Sequence, residues 1–163
     1  RRSIYQELGP VPSPLSCFLQ LRGLKTLHLR MRAHSENALC LAEWLQAQKG
    51  IRNVAYPGLP SFKSHQLAKE QFGGRGYGGM LSFEVEGGIP GGQAFIKRLQ
   101  MTKYCVSLGD LDTLIQHPAT MTHGKMPAEE RARMGISDGM LRVSMGVEDI
   151  EDIIADFRRA LEG

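Results

Sequence analysis

Two short apolar runs, residues 104–106 and 141–145, bracket a polar stretch that keeps neither helical nor strand periodicity. Residues 107–123 are rich in Ser, Asp, Thr and His, and Gly109 and Pro118 punctuate them. A chain built this way must hold a long polar loop between two core strands, a setting in which binding side chains tend to sit. The second run carries a lone arginine, Arg142, between Leu141 and Val143. On alternation alone, Arg142 is a solvent-facing residue of a half-buried strand. If the fold brings it to Ser107, a guanidinium fork and a hydroxyl together make a small carboxylate-binding pair.

The rest of the chain reads as helices alternating with short strands. Residues 1–12 are irregular, because Gly9, Pro10 and Pro12, followed by Pro14, interrupt helix there. Ser13 then serves as an N-cap with Pro14 at the first helical position. One long helix is expected from there to about Gln48. Leu24, Leu27, Met31, Ala38, Leu41 and Leu45 recur at helical spacing, with His34 in the same series. Gly23 is its weak point, at about 1 kcal/mol relative to alanine, and Gly50 ends it. Strands are expected at residues 51–56, 80–85, 103–107 and 141–145. Helices are expected at 62–72 with Ser61 as cap, 91–99, 127–134 and 149–161. The last is amphipathic through Ile150, Ile153, Ile154, Phe157 and Leu161. Without a regular βαβ rhythm the pattern is α+β.

The 163 residues suffice for one domain with its own core. Twenty basic against 17 acidic residues leave a net charge of +3, too little to imply nucleic acid. Arg22, Lys25, Arg30 and Arg32 gather on the long helix, as a solvated or subunit-facing surface or as an anion patch. No apolar run approaches the roughly 20 residues of a membrane span. Cys17, Cys40 and Cys105 are far apart, odd in number and in no metal spacing, which suits a reducing, cytoplasmic setting. Cys105, in an expected strand, reads as a small buried hydrophobe.

Several tempting motifs carry less than they suggest. Gly74, Gly76 and Gly79 match a dinucleotide fingerprint, but the run follows a helix and opens a strand, the reverse of that motif's context. It reads as a mobile loop with glycines at positive φ. His34, on an apolar stripe, reads as a hydrogen-bonded core or boundary residue. His117 and His123 fit no compact zinc pattern and are assigned to structural hydrogen bonding or site lining. Asp110 and Asp112 belong to turn and cap chemistry rather than acid/base work.

The stretch Ser-Leu-Gly-Asp, then Leu-Ile-Gln-His-Pro-Ala-Thr-Met-Thr-His, then Gly-Ile-Ser-Asp-Gly-Met-Leu-Arg-Val-Ser-Met-Gly-Val-Glu-Asp closely resembles one enzyme family. It is the cysteine/methionine-metabolism family of pyridoxal-phosphate enzymes: methionine gamma-lyase, cystathionine gamma-synthase and gamma-lyase, and the homoserine-ester sulfhydrylases. The likeness runs in order from Gly9 to the C-terminus. It implies the C-terminal domain of a fold-type I enzyme, a small, largely antiparallel sheet with helices on one face. Residues 1–12 would be a remnant of the inter-domain linker and residues 13–163 the substrate-side domain. The large cofactor-binding domain and its Schiff-base lysine would lie upstream of Arg1.

The resemblance turns Arg142 from a surface residue into the expected partner of the substrate α-carboxylate, with Ser107 and Leu108 beside it. Val106, His117 and Thr120 become candidate pocket lining. Val106 stands where cystathionine gamma-lyases tend to carry glutamate, which favours methionine gamma-lyase. The implied reaction is γ-elimination from a sulfur amino acid with pyridoxal 5'-phosphate as electron sink, or γ-replacement on a homoserine ester in the sulfhydrylase and synthase alternatives. The implied assembly is a homotetramer, without nucleic-acid or membrane partners. The chain alone is expected to be inactive and to hold no cofactor. Outside catalysis, a partner-binding module and a pseudoenzyme fragment are the competing readings.

Overall fold

The computed structural model describes Gly9 and residues 11–163, so most of the expected irregular stretch at residues 1–12 lies outside the described residues. The chain divides into two units, Arg1–Arg30 and Met31–Gly163.

In the first unit, α1 (Pro14–Leu24) starts as its sequence directs. Ser13 is the N-cap, its hydroxyl accepting the Ser16 N–H at 3.1 Å, and Pro14 fills the first turn. The single long helix expected from residue 14 is in fact two. The break falls at Lys25 and Thr26, and α2 runs Leu27–Gln46. The Gly23 carbonyl accepts the Thr26 N–H, the Thr26 hydroxyl and, at 2.7 Å, Arg30 Nη2. These local donors replace the ladder bond that would have continued the helix at its least helix-prone residue.

The second unit contains the remainder of α2, then β1 (Ile51–Ala55), α3 (His65–Phe72), β2 (Met80–Val85), α4 (Gly88–Arg98) and β3 (Lys103–Tyr104). After these come β4 (Leu114–Gln116), α5 (Ala128–Arg133), β5 (Met140–Ser144) and α6 (Ile150–Glu162). The strands form one sheet in the order β1-β2-β5-β4-β3. Three of the pairings are antiparallel, and β3 with β4 is parallel. The fold is therefore α+β, as expected, with a small mixed sheet in which one pair departs from the expected antiparallel arrangement.

Period-2 alternation decides which face of the sheet is covered. Leu81, Phe83 and Val85 of β2, Ile115 of β4, and Leu141 and Val143 of β5 face the core. Upon them lie Ala38, Leu41, Ala42 and Leu45 of α2, Phe95 of α4, and Ile153, Ile154, Phe157 and Ala160 of α6. Phe83, Phe95 and Phe157 meet with ring centroids 5.7, 6.1 and 5.6 Å apart, two of the three pairs edge-to-face.

Several elements depart from their expected bounds. The strand expected at 103–107 keeps only Lys103 and Tyr104, so Cys105 lies beyond it, half-buried, with its N–H on the Ile115 carbonyl. β4 was hidden inside the polar stretch. Ser61 does not cap α3; its hydroxyl accepts Gln46 Nε2 at 2.8 Å, and Ser64 stands at the N-cap. The glycine stretch does supply positive φ at Gly73, Gly74, Gly76 and Gly78, and its C-terminal half is tied to α2. The Tyr77 N–H donates to Ser35 Oγ at 2.8 Å, and the Tyr56 hydroxyl donates to the Gly78 carbonyl at 2.9 Å. His34 is buried as expected, but its Nδ1 has no hydrogen-bond partner among the described residues.

Asp156 breaks the apolar face of α6 and is almost wholly buried. Its carboxylate accepts the backbone N–H groups of Gln100, Met101 and Thr102 at 2.8, 3.1 and 2.9 Å, and Arg159 Nη1 at 3.0 Å. It thereby fixes the turn that feeds β3. Burial pushes its carboxyl up, but the backbone donors outweigh burial and hold it below the ordinary value. A carboxyl lowered in the folded state adds stability that is fully present above about pH 4 and is lost as pH falls through the folded value. Asp156→Asn should lower unfolding free energy at neutral pH by about 2 kcal/mol. It should also flatten the acid limb, so that the gap between wild type and variant starts to narrow as pH falls below about 4. Denaturant unfolding measured from pH 7 to pH 3 checks both.

Candidate functional site

The face of β5 opposite the core carries Met140, Arg142 and Ser144 at every second position. Arg142 Nη2 donates to the carbonyls of Val106 and Ser107 at 3.0 and 3.1 Å. Two residues on, Ser144 Oγ accepts the Gly109 N–H at 2.9 Å. One strand face thus holds both limbs of the loop at residues 105–113, with Leu108 at its exposed tip. The structure brings Arg142 and Ser107 together as the sequence reading required, through the Ser107 backbone.

The far end of this loop is anchored by a polar network that sequence patterning did not reveal. Glu148 accepts the Thr113 N–H at 2.5 Å and the Thr113 hydroxyl at 2.8 Å. Thr113 Oγ1 in turn accepts the Gly146 N–H at 2.9 Å, and the Val147 N–H donates to the Leu111 carbonyl at 2.8 Å. Asn37 of α2 donates to the carbonyls of Gly146 and Glu148 at 3.3 and 2.9 Å. Asp112 forms an ion pair with Lys103, and Asp110 Oδ1 accepts the Leu111 N–H at 2.7 Å. Both aspartates are thus engaged in holding the loop. The Asp112 carboxylate also raises the Lys103 ammonium above its usual value, chiefly through their hydrogen bond.

The guanidinium of Arg142 has five N–H donors. Nη2 is committed to the loop. Among the described residues neither Nε nor Nη1 has a partner; Nε is buried and Nη1 is not. Arg142 itself is half-buried, and Val106, Ser107 and Leu108 are exposed. The arrangement presents a cation with two Nη1 donors unpaired among the described residues, a nearby serine and an apolar rim, a donor set chemically suited to a small carboxylate.

His117 and Thr120 are placed differently. His117 is fully buried, its Nε2 donating to the Asp138 carbonyl at 2.8 Å and its Nδ1 bonded to Thr120 Oγ1 at 2.9 Å. A carbonyl can only accept, so Nε2 carries a hydrogen. The ring lies against α4, where a Cβ on Gly92 would come 3.0 Å from Nε2. It is therefore Gln116, absent from the expected site residues, that shares the face of Arg142. Arg131, nearly buried, closes the next turn through Asp138 Oδ1 at 2.5 Å and the Met126 carbonyl at 2.9 Å.

Gly146 is where the network leaves no room for a side chain. A Cβ there would lie 2.6 Å from the Asp112 carbonyl carbon and collide with the Leu111 carbonyl and the Glu148 carboxylate. Gly146→Ala should destabilise the fold by about 2 kcal/mol or more. Thermal unfolding should show the lower midpoint. Amide exchange should show the loss of protection centred on residues 109–113.

No helix among the described residues is long and apolar enough to cross a membrane. The family model for Cys/Met metabolism PLP-dependent enzymes matches residues 1–162. Cystathionine gamma-lyase of Dictyostelium discoideum is 46% identical over 159 residues, 98% of this chain and 41% of the relative. O-succinylhomoserine sulfhydrylase of Pseudomonas aeruginosa and L-methionine gamma-lyase of Pseudomonas putida are each 48% identical, over 94% of this chain and 38% of their own length. The chain thus spans about two fifths of the length of these curated relatives. The crystal structure of cystathionine gamma synthase from Xanthomonas oryzae pv. oryzae in complex with cystathionine superposes with a TM-score of 0.86 at 46% identity, covering 95% of this chain and 40% of that one. With its sequence and its fold matched over nearly their full extent, this chain belongs to the Cys/Met metabolism PLP-dependent enzyme family.

Proposed function

We propose that residues 13–163 form the substrate-side C-terminal domain of a pyridoxal-phosphate enzyme that eliminates the γ-substituent of a sulfur amino acid, in the manner of a methionine gamma-lyase. The observation that carries this is the state of Arg142, a half-buried cation whose Nη1 donors are open while Nη2 is held by the loop. That donor set fits the α-carboxylate of an amino-acid substrate. Nη1 gives the carboxylate a charge-assisted anchor, and the Ser107 hydroxyl supplies a second donor from the same loop. Leu108 and Val106, both exposed, form an apolar rim beside the pair and offer a thioether side chain an apolar neighbour. The match to L-methionine gamma-lyase of Pseudomonas putida supports this choice of substrate.

Pyridoxal phosphate, when bound, supplies the electron sink that stabilises negative charge at the α-carbon. The residues of this chain fit the substrate side of that chemistry. Arg142 and Ser107 fix the carboxylate so that the reacting bonds keep their alignment. No residue described here is assigned to the cofactor itself, so the chain by itself is proposed to be silent. A second reading, γ-replacement on a homoserine ester, is favoured by the equal identity to the O-succinylhomoserine sulfhydrylase. The carboxylate receptor is common to both.

The proposed setting is a cytoplasmic homotetramer. Cys17, Cys40 and Cys105 are free thiols, and α1 has no buried residue while exposing Leu15, Phe18, Leu19, Leu21 and Leu24. Apolar surface of that kind favours association.

Arg142→Ala, in a full-length enzyme carrying this segment, removes one partner of a charge pair, a loss of about 2–5 kcal/mol. kcat/KM should fall roughly 30- to several-thousand-fold at about 1.36 kcal/mol per decade. Arg142→Lys should recover only part, since an ammonium cannot bond the two loop carbonyls and the ligand in one plane. Cofactor content should stay near wild type, and so should the fold, because Leu141 and Val143 carry the core face of β5. Steady-state kinetics and the cofactor absorption of the variants decide it. Unchanged kcat/KM with full cofactor would move the substrate site elsewhere.

A further inference from the structure

The sheet face that carries Arg142 holds a second unsatisfied group. Strand β4 pairs antiparallel with β5 and sets Gln116 directly opposite Arg142. Opposed residues of an antiparallel pair project from one face, with Cβ atoms about 4.5–5.5 Å apart. Gln116 is only 3% exposed, and its Oε1 is buried without a partner among the described residues. Arg142 Nε, next to it on that face, is buried and unpartnered as well. One is an acceptor without a donor and the other a donor without an acceptor, each unfavourable in isolation.

We propose that Gln116 is a positioning residue for the carboxylate receptor, its Oε1 taking the Arg142 Nε–H when a carboxylate occupies Nη1. This rests on the assignment of Arg142 made above. Without ligand, the guanidinium is held through Nη2 alone, on the carbonyls of Val106 and Ser107. A carboxylate on Nη1 and an amide oxygen on Nε leave it one orientation. The terminal torsion of a glutamine is soft, so the bond forms without moving the strand. The amide is also the right chemistry for the task. A carboxylate at position 116 would satisfy Nε better, but it would neutralise the cation and compete with the substrate's own carboxylate. A neutral acceptor fixes the guanidinium and leaves its charge for the ligand.

The test uses a cofactor-loaded, full-length enzyme carrying this segment, with Gln116→Met, Gln116→Glu, Arg142→Ala and the Gln116→Met, Arg142→Ala double variant. Two readouts are taken: steady-state kinetics, and calorimetric binding of norleucine, an amino acid with no leaving group on its γ-carbon. Gln116→Met should raise KM and the norleucine dissociation constant about 10-fold or more, the effect of one bond to a charged group, with kcat nearly unchanged. Gln116→Glu should also weaken norleucine binding, whereas a residue that merely filled a structural hydrogen bond would tolerate glutamate. In the Arg142→Ala background Gln116→Met should add almost nothing. Unchanged norleucine binding in Gln116→Met would overturn the proposal, as would an equal loss with and without Arg142. If Arg142→Ala alone leaves binding intact, the receptor assignment fails first, which separates the two outcomes.

Discussion

The guanidinium of Arg142 has five hydrogens to give, and the fold takes two of them. Those two, on Nη2, hold the carbonyls of Val106 and Ser107. A loop bent across the end of a sheet cannot pair these carbonyls with its own backbone, so it needs a donor from outside. A half-buried arginine on a strand, in turn, needs acceptors other than a counterion if it is to remain a cation. Each requirement meets the other. Loop carbonyls orient the guanidinium without cancelling its charge, so an anion approaching Nη1 meets nearly a full positive charge. Ser144, two residues along the same face, secures the descending limb through the Gly109 N–H. The shape of the loop and the electrostatics of the proposed receptor therefore have one origin, the outward face of β5.

Much of this could be read from residue order, and the exceptions have physical causes. β2, β5 and α6 keep clean alternation or helical periodicity, since each has one face on a single core, and these were placed within a residue or two. β4 was not foreseen, because a three-residue strand buried at every position has no alternation to display. The helix break at Lys25 and Thr26 was missed because the apolar series continues across it. Gly23 was the available signal, and its strength came from Thr26 and Arg30 competing for one carbonyl. Asp156 was passed over because periodicity weighs apolar residues. An acid three residues after Ile153 and just before Phe157 lies on the buried stripe and has to find donors there.

The site divides along the same line. Arg142 and Ser107 are candidates by the chemistry of an arginine beside a hydroxyl and by resemblance, whereas alternation alone leaves Arg142 facing solvent. What no spacing could supply is the pairing of strands, and strand pairing is what places Gln116 beside Arg142 and sends His117 to the helix side. A one-residue slip of β4 would have exchanged them. The anchor built from Thr113, Glu148, Gly146 and Asn37 joins positions more than a hundred residues apart. It becomes visible only once α2, the loop and the turn after β5 are in place.

An ion pair at a solvent-exposed site contributes about 0–1 kcal/mol, because water screens it and competes for its donors. The proposed receptor is close to that limit, since Val106, Leu108 and Leu111 stand exposed around a half-buried Arg142. The same three side chains are what would change it. Apolar atoms at the rim exclude water once another surface covers them, and lowering the effective dielectric from about 80 toward 20 strengthens a contact at 4 Å roughly fourfold. The chain spans only about two fifths of its relatives' length. If the proposed receptor is right, a cation already oriented by the loop with its rim still bare is what such a domain would offer to a covering surface. On this reasoning, the affinity proposed for Arg142 toward a carboxylate would depend on the covering of residues 106–111 as much as on the arginine itself.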